Sequence, residues 1–311
     1  MKILVTGGAG FIGSHLVEAL VRRGHTVRVL DNFSTGRREN LAALRRDVEV
    51  RKGDCADERA ARQAVRGVEA VFHEAAVPSV TLSVQDPAGS FRANATATLT
   101  MLLAARDAGV RRFIYAGSSS VYGDRPGLPK REAATPAPLS PYAVGKLTGE
   151  HLVRIFSELY GLEGLTLRYF NVFGARQDPS SPYSGVISLF TTALLEGRSP
   201  LIYGDGQQSR DFTHVTNVVD ANLRALTVRS LHGEAVNVAT GRRTTLRQLL
   251  RLIAAEAQRP AVARYAPARA GDIRHSVADI RAARLLLGYR PKTDIENGLS
   301  QTVAWYRRTA R

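Results

Sequence analysis

A doubly wound α/β fold, with a parallel sheet, helices on both faces and a smaller C-terminal α/β lobe, is what this 311-residue sequence predicts. Three observations carry that expectation. Short apolar runs alternate with helix-period segments through the first 170 residues. The first run passes directly into a glycine cluster, "VTGGAGFIG". Hydrophobic residues make up 44% of the chain, enough for one large core with an appended lobe.

The elements follow in order. "KILVTG" predicts the first strand, and Ile12, Leu16, Ala19 and Leu20 then fall on one helical face. "HTVRVLD", "VEVRKGD", "VEAVFHEAA", "RFIYAGSSS" and "LTLRYFNV" predict five further strands. Beyond about residue 170 the alternation loosens. Pro, Gly and Ser cluster at 174–185, and polar loops separate helices such as "TTLRQLLRLIAAEA". The expected division is a unit spanning 1–170, joined by returning segments around 210–240, and a smaller lobe within 171–311. No internal repeat or low-complexity linker is visible.

Composition narrows the function classes. A first strand beginning at Lys2 leaves no room for a signal peptide, and no apolar run is long enough to span a bilayer. The expectation is a soluble, cytoplasmic protein without a membrane partner. A single cysteine, Cys55, excludes an internal disulfide and a cysteine-rich zinc site; an inert thiol is expected. Net charge is +15, mostly from Arg, with 5 Lys. The arginines are scattered (Arg22, Arg23, Arg37, Arg38, Arg45, Arg46, Arg111, Arg112), without a basic tail or aromatic-interleaved stripe. That predicts a solvated, Arg-rich surface and no nucleic-acid partner.

Gly7, Gly10 and Gly13 are spaced G-x-x-G-x-x-G between the first strand and the first helix. Such a loop lets the backbone approach a ligand, and the helix start at Phe11, Ile12 and Gly13 offers N–H groups to a pyrophosphate. Asp31 ends the second strand, 18 residues past Gly13. A carboxylate there suits both ribose hydroxyls of an adenosine and repels a 2′-phosphate. Arg37 and Arg38 pull the other way, yet NAD is favoured over NADP. Asp54 closes the third strand and is placed to meet the adenine amine. Ala75 and Ala76 offer small side chains beside the cofactor.

"PYAVGK" places Tyr142 and Lys146 four residues apart, on one helical face. An ammonium beside the phenol would lower the phenol's pKa from about 10 and yield a general base. "AGSSSVYG" ends a strand on the ligand side of the sheet, where Ser118, Ser119 or Ser120 can present a hydroxyl to the same substrate oxygen. His73, His214 and His275 share no metal-ligand spacing and are expected to be structural; no metal site is expected.

These motifs, with "DNFSTG", "LRYFNVFGARQDPSSPYSGVIS", "GDGQQSRDFTHV", "RAGDIRHS" and "LGYRPKTDIENGLSQTVAWYR", cover nearly the whole chain. The sequence resembles the extended short-chain dehydrogenase/reductases of the sugar-nucleotide epimerase/dehydratase family, and is most similar there to the UDP-hexose 4-epimerases. The resemblance implies a Rossmann-type sheet, bound NAD, a UDP-sugar substrate and redox-neutral epimerisation at the sugar C4. It implies Ser118 as catalytic serine flanked by Ser119 and Ser120, Tyr142 as acid/base, and Lys146 as its partner and holder of the nicotinamide ribose. Asn94 would position the active-site helix and Phe170 would lie by the nicotinamide. Asn32, Ser34, Gly36 and Cys55 would complete the cofactor site. Asn171 would contact a substrate phosphate, Val186 the nucleotide through its backbone, and Tyr203 the uracil. Arg210 and Arg269 would hold the diphosphate, and Asp272 the ribose or uridine side. Ser276 matches a gate near the sugar 2-substituent, where a small residue implies room for N-acetylated sugars.

The resemblance also implies a homodimer through helices around 95–109 and 142–160. A 4,6-dehydratase would carry Asp-Glu where this chain has Ser119 and Ser120. A glucuronate 4-epimerase stays open through Arg176 or another arginine, while a decarboxylase fits less well. A non-catalytic binder would have no use for an activated phenol. Ala97, where the family usually has Gly, and Cys55, where it has an aliphatic residue, depart from the pattern.

Overall fold

The computed structural model describes residues 1–179, 185–268 and 273–309. Six strands come from residues 1–170: β1 (Lys2–Thr6), β2 (Thr26–Asp31), β3 (Val48–Lys52), β4 (Ala70–His73), β5 (Arg112–Ser118) and β6 (Glu163–Tyr169). A seventh, Glu234–Val238, returns late in the chain and pairs with β6. The order across the sheet is the returning strand, then β6, β5, β4, β1, β2 and β3, and every pairing is parallel. The order reverses between β1 and β4, so the loops leaving these two strands flank a crevice at the carboxyl end of the sheet.

Both sheet faces are covered, as a parallel sheet requires. Ile3 and Val5 face one core with Leu16, Val17, Leu20, Val218 and Val236. Leu4 faces the other with Val71, Met101, Phe113, Val153 and Phe156. The alternation along β1 is the strand period of two made visible. A third core joins Phe173, Ile187, Phe190, Ile202, Leu249, Ile253, Leu299 and Val303, away from the main sheet.

Two expectations need correction. The run "LTLRYFNV" is not one strand. Asn171 has φ +34°, which turns the chain out of the sheet after β6, and Val172–Phe173 pairs instead with Thr213–His214. Nor are all the arginines solvated. Arg112 is buried on β5, where it donates to the Glu163 carboxylate and to the carbonyls of Ala225, Leu226 and Val228. Arg168 is buried against Glu150, with Nε to Oε2 at 2.9 Å. These guanidiniums tie the sheet to its helices, since a buried charge persists only when matched. Among the described residues, no helix is long and apolar enough to cross a membrane.

His73 is fully buried between Thr6 (Oγ1 to Nδ1, 2.8 Å) and Thr98 (Oγ1 to Nε2, 3.2 Å). Burial pushes it down to about 3, and pushes the buried His214 down to about 4. Both titrate near 6.5 when unfolded. The unfolded chain therefore binds more protons below pH 6.5. Stability should be fully present above that pH and fall as pH drops towards 4, with a slope of up to about 2.7 kcal/mol per pH unit from the pair. Urea titrations between pH 7.5 and 4.5 should show this slope, and His73→Gln should roughly halve it.

Candidate active site

The glycine loop is built by exclusion of side chains. Gly7 has φ +65°, and a Cβ there would come within 2.8 Å of the Ala75 backbone. A Cβ on Gly13 would lie 2.2 Å from the Gly7 carbonyl oxygen. The loop therefore rests against its own helix and against the segment after β4, at the crevice where the strand order reverses. Helix α1 (Phe11–Arg22) begins with Gly10 at its N-cap, and no side chain caps it. The N–H groups of Phe11, Ile12 and Gly13 occupy the first turn, where an α-helix supplies no internal acceptor. A pyrophosphate oxygen matches that set of donors and the helix dipole.

Asp31 is buried at the end of β2 and organises this loop. One carboxylate oxygen accepts from the Ala9 N–H at 2.9 Å, the other from the Phe33 N–H at 2.8 Å. Gly36 passes so close that a Cβ would lie 2.8 Å from the carboxylate. Asn32 closes a turn by accepting from the Ser34 N–H at 3.0 Å. Asp54 accepts from the Ala56 N–H at 2.8 Å and from Arg92 at 2.9 Å. Arg37 is matched by Asp178 at 2.5 Å, and Arg38 lies over the Phe33 ring, 4.5 Å from its centroid. The two arginines thus have local partners, which weakens the case for a 2′-phosphate.

Ser118 ends β5, and the following 3-10 turn folds back on it. Its Oγ accepts from the Ser120 N–H at 3.2 Å and from the Ser120 hydroxyl at 2.9 Å. With two donors received, the Ser118 O–H is left to donate outward. The helix Pro141–Tyr160 starts at Ser140, whose hydroxyl accepts from the Ala143 N–H at 3.2 Å. That cap sets Tyr142 in the first turn, beside Ser118. Asn94 sits in the π-turn Arg92–Thr96 and is pinned to Val77 and Ser90. A Cβ on Gly145 would lie 3.2 Å from Asn94, so this turn and the Tyr142 helix are in close contact.

The electrostatics differ from the sequence expectation. Burial pushes the Tyr142 phenol above its ordinary value, and the neighbouring Ser118 hydroxyl acts in the opposite direction. Lys146 is bonded elsewhere. Its Nζ donates to the Ala116 carbonyl at 2.8 Å and lies over the Tyr115 ring, 5.0 Å from the centroid. Burial pushes Lys146 itself down to about 8, while Glu74 acts to raise it.

Two cofactor candidates also change character. Phe170 is fully buried in a cluster with Val121, Tyr122, Ala239 and Ile280, so its ring fills core and does not line the crevice. Cys55 belongs to the core under β1, with its thiol pushed up to about 12 by burial. Ala75 and Ala76 stand beside the glycine loop, partly open.

The substrate candidates gather around the third core. Asn171, at the turn leaving β6, donates to the Asp211 carbonyl at 3.3 Å. Val186 opens a helix, Val186–Leu195, that no side chain caps. Tyr203 ends the strand Leu201–Tyr203. Arg210 donates to the carbonyls of Ser209 and Arg274, and the Ser276 N–H donates to Ser209 at 3.0 Å. Arg210 and Ser276 are thereby brought to one place. Arg269 and Asp272 lie outside the described residues. A separate groove of about 1150 Å³, bordered by Arg242, Arg251 and Arg290, contains none of these candidates.

Sequence reasoning missed Asp211, Glu74 and Tyr169. The Asp211 carboxylate is fully buried and receives the N–H groups of Thr240, Gly241 and Ala278 as well as the Thr240 hydroxyl. Glu74 accepts from the Tyr169 hydroxyl at 2.7 Å, and Asn222 donates to that same hydroxyl at 2.8 Å. The signal for Glu74 was a charged residue ending the apolar run "AVFHE".

A glycine-loop crevice flanked by a serine, a tyrosine and a lysine fits an NAD-dependent α/β enzyme. The chain belongs to the NAD dependent epimerase/dehydratase family, whose description matches residues 3–239, and NAD is the cofactor of that family. It is 40% identical to a UDP-glucose 4-epimerase of Mycolicibacterium smegmatis, over 99% of both chains. A UDP-glucose 4-epimerase of Thermotoga maritima, solved with UDP-glucose, superposes with a TM-score of 0.95 at 39% identity over the full length of both. A UDP-N-acetylglucosamine 4-epimerase of Methanobrevibacter ruminantium, solved with UDP-N-acetylmuramic acid, gives 0.95 at 38% identity over 99% of this chain and 98% of that one. Similarity extends at 31–33% identity to a decarboxylase and a 4,6-dehydratase.

The double acceptance by Asp31 is testable. Asp31→Asn sets an amide N–H₂ against one of the two backbone donors, which costs about 1–3 kcal/mol locally. The dissociation constant for NAD, measured by calorimetry, should rise roughly tenfold or more.

Proposed function

We propose that the protein is a UDP-hexose 4-epimerase that interconverts UDP-glucose and UDP-galactose and also accepts the N-acetylated pair. The observation that carries this reading is that Tyr142 interacts with Ser118, at the carboxyl end of β5, while Lys146 of the same helix donates to the Ala116 carbonyl on that strand. Bound NAD supplies a hydride acceptor that returns what it takes, so the net reaction is redox-neutral. The glycine loop and Asp31 would hold it, with Lys146 reaching its nicotinamide ribose.

The protein's own groups account for the proton. Tyr142 Oη takes the proton of the sugar 4-hydroxyl and later gives it back, while the outward O–H of Ser118 donates to the same oxygen. Burial holds the phenol protonated above its usual range, so its deprotonation depends on positive charge nearby. Arg210, with Arg269, would grip the diphosphate and keep the keto intermediate tethered while the sugar turns. Two features support epimerisation over dehydration. Ser119 and Ser120 offer hydroxyls where a dehydratase carries acids, and Ser120 is committed to Ser118. Arg176 is matched by Glu18 at 2.6 Å, which disfavours a C6 carboxylate as its partner. Exposed Leu99, Leu103, Ile155 and Leu159 on the helices Ala97–Asp107 and Pro141–Tyr160 support a homodimer formed by those faces.

The test is product analysis by chromatography with UDP-glucose, UDP-N-acetylglucosamine, UDP-glucuronate and dTDP-glucose, without added reductant. Formation of UDP-galactose from UDP-glucose is expected. A keto-deoxy product or release of carbon dioxide would overturn the reading. Tyr142→Phe should lower kcat by about 10²–10⁴-fold. Ser276→Tyr should reduce turnover of the N-acetylated sugar while leaving UDP-glucose turnover close to wild type; equal loss of both would remove the gate role.

A further inference from the structure

The groove that contains none of the candidate site residues is lined in a way the rest of the surface does not require. It encloses about 1150 Å³ between residues 240–252 and 284–296, with Phe212. Arg242, Arg243, Arg251, Arg284, Arg290 and Lys292 border it, against two carboxylates, Asp294 and Glu296. Lys292 is matched by Asp220 at 3.8 Å. Among the described residues, none of the five guanidiniums has a hydrogen-bond or ion-pair partner. By contrast, the exposed Arg62 lies against Glu58 at 2.8 Å and the exposed Arg281 against Asp279 at 2.6 Å. Like charges gathered around one concavity focus positive potential within it.

The walls are fixed without help from a ligand. The helix Leu246–Ala257 begins in a reciprocal cap: Thr245 Oγ1 accepts from the Gln248 N–H at 3.1 Å, and the Gln248 side chain accepts from the Thr245 N–H at 2.9 Å. Asn217 holds the other stretch. Its Oδ1 accepts from the N–H groups of Lys292 and Thr293 at 2.9 and 3.0 Å, and its Nδ2 donates to the Thr293 carbonyl at 2.7 Å. Arg224 donates to the Gly288 carbonyl at 2.8 Å. A site built in advance spares the ordering cost of binding. Part of the lining is apolar. Phe212, Leu252 and Ile295 form an edge of the third core, and Leu285 borders the groove while 88% exposed.

We propose that this groove is a second anion-binding site, separate from the candidate active site, and that it takes a nucleoside polyphosphate. A guanidinium presents paired N–H donors that match phosphate oxygens, and several on one surface suit several phosphates. The apolar edge receives the nucleoside. The volume is that of a small-molecule site and exceeds what a lone phosphate fills. The cations border a single concavity and do not track a long path, which favours a compact ligand over a nucleic-acid backbone. Ser118, Tyr142, Lys146, Arg210 and the glycine loop are all outside the lining, so the proposal does not depend on the epimerase reading.

The test is calorimetry on protein saturated with NAD and UDP, which occupy the candidate active site, in about 0.15 M salt, where diffuse attraction is screened. The probes are adenosine triphosphate, inorganic tripolyphosphate and a single-stranded oligonucleotide. One adenosine triphosphate should bind per chain, and tripolyphosphate should bind several-fold more weakly. Arg251→Ala with Arg290→Ala should weaken adenosine triphosphate binding about tenfold. Arg62→Ala with Arg198→Ala removes the same formal charge elsewhere and should leave it unchanged. All four side chains are exposed, so both variants should fold.

Absence of adenosine triphosphate binding overturns the proposal, and so does equal weakening in the two variants, which would mean attraction to the net charge alone. Equal affinity for tripolyphosphate overturns the nucleoside assignment. An oligonucleotide that binds more tightly, and is released by Arg251→Ala with Arg290→Ala, would make a polymer the occupant and overturn the compact ligand.

Discussion

Everything at the crevice depends on one close approach. The Gly7 backbone runs so near residues 74 and 75 that no side chain fits between them, and Gly13 closes on Gly7 from the other side. The loops leaving β1 and β4 can touch only because of this. Their contact places the uncapped start of α1 beside the segment that leads to Glu74 and Ala75. Asp31 then fixes the loop from its outer edge through Ala9 and Phe33. The candidate cofactor crevice is thus a backbone construction, held in register by one carboxylate.

The second half of the site is built differently. Ser118, Tyr142 and Lys146 come from a strand end and from one helix, and their placement is set by caps and packing. Ser140 caps the helix, the Asn94 turn lies against Gly145, and Ser120 turns the Ser118 hydroxyl outward. Burial works against the chemistry at each point. It raises the phenol and lowers the ammonium. The surroundings of the pair, and not the pair by itself, decide whether its protons move near neutral pH.

The fold was legible because parallel strands buried on both faces write themselves as apolar runs. All six early runs became sheet strands, and only the sixth ended sooner than its hydrophobicity implied. No hydropathy pattern reveals that Asn171 adopts φ +34°. The glycine spacing, Asp31 and the Tyr142–Lys146 interval were legible because each is a local constraint. What stayed hidden was non-local. Nothing in one segment shows that Glu74 meets Tyr169, 95 positions away, or that Phe170 turns into the core. The spacing of Tyr142 and Lys146 likewise gave their common face but not the depth at which that face is buried.

The returning strand gives the chain a particular history. Residues 2–169 supply six of the seven sheet strands and much of the candidate site, yet β6 has no partner on its outer side until Glu234–Val238 is in place. During synthesis a chain of about 170 residues would present β6, with Leu165 and Leu167 normally fully buried, as an open edge. Such an edge can recruit the wrong strand. At about 5–20 residues per second the interval before the closing strand emerges lasts several seconds. The long connection between β6 and its closing strand therefore carries a kinetic liability, and the nascent chain is at its most vulnerable when the helix Pro141–Tyr160 already exists.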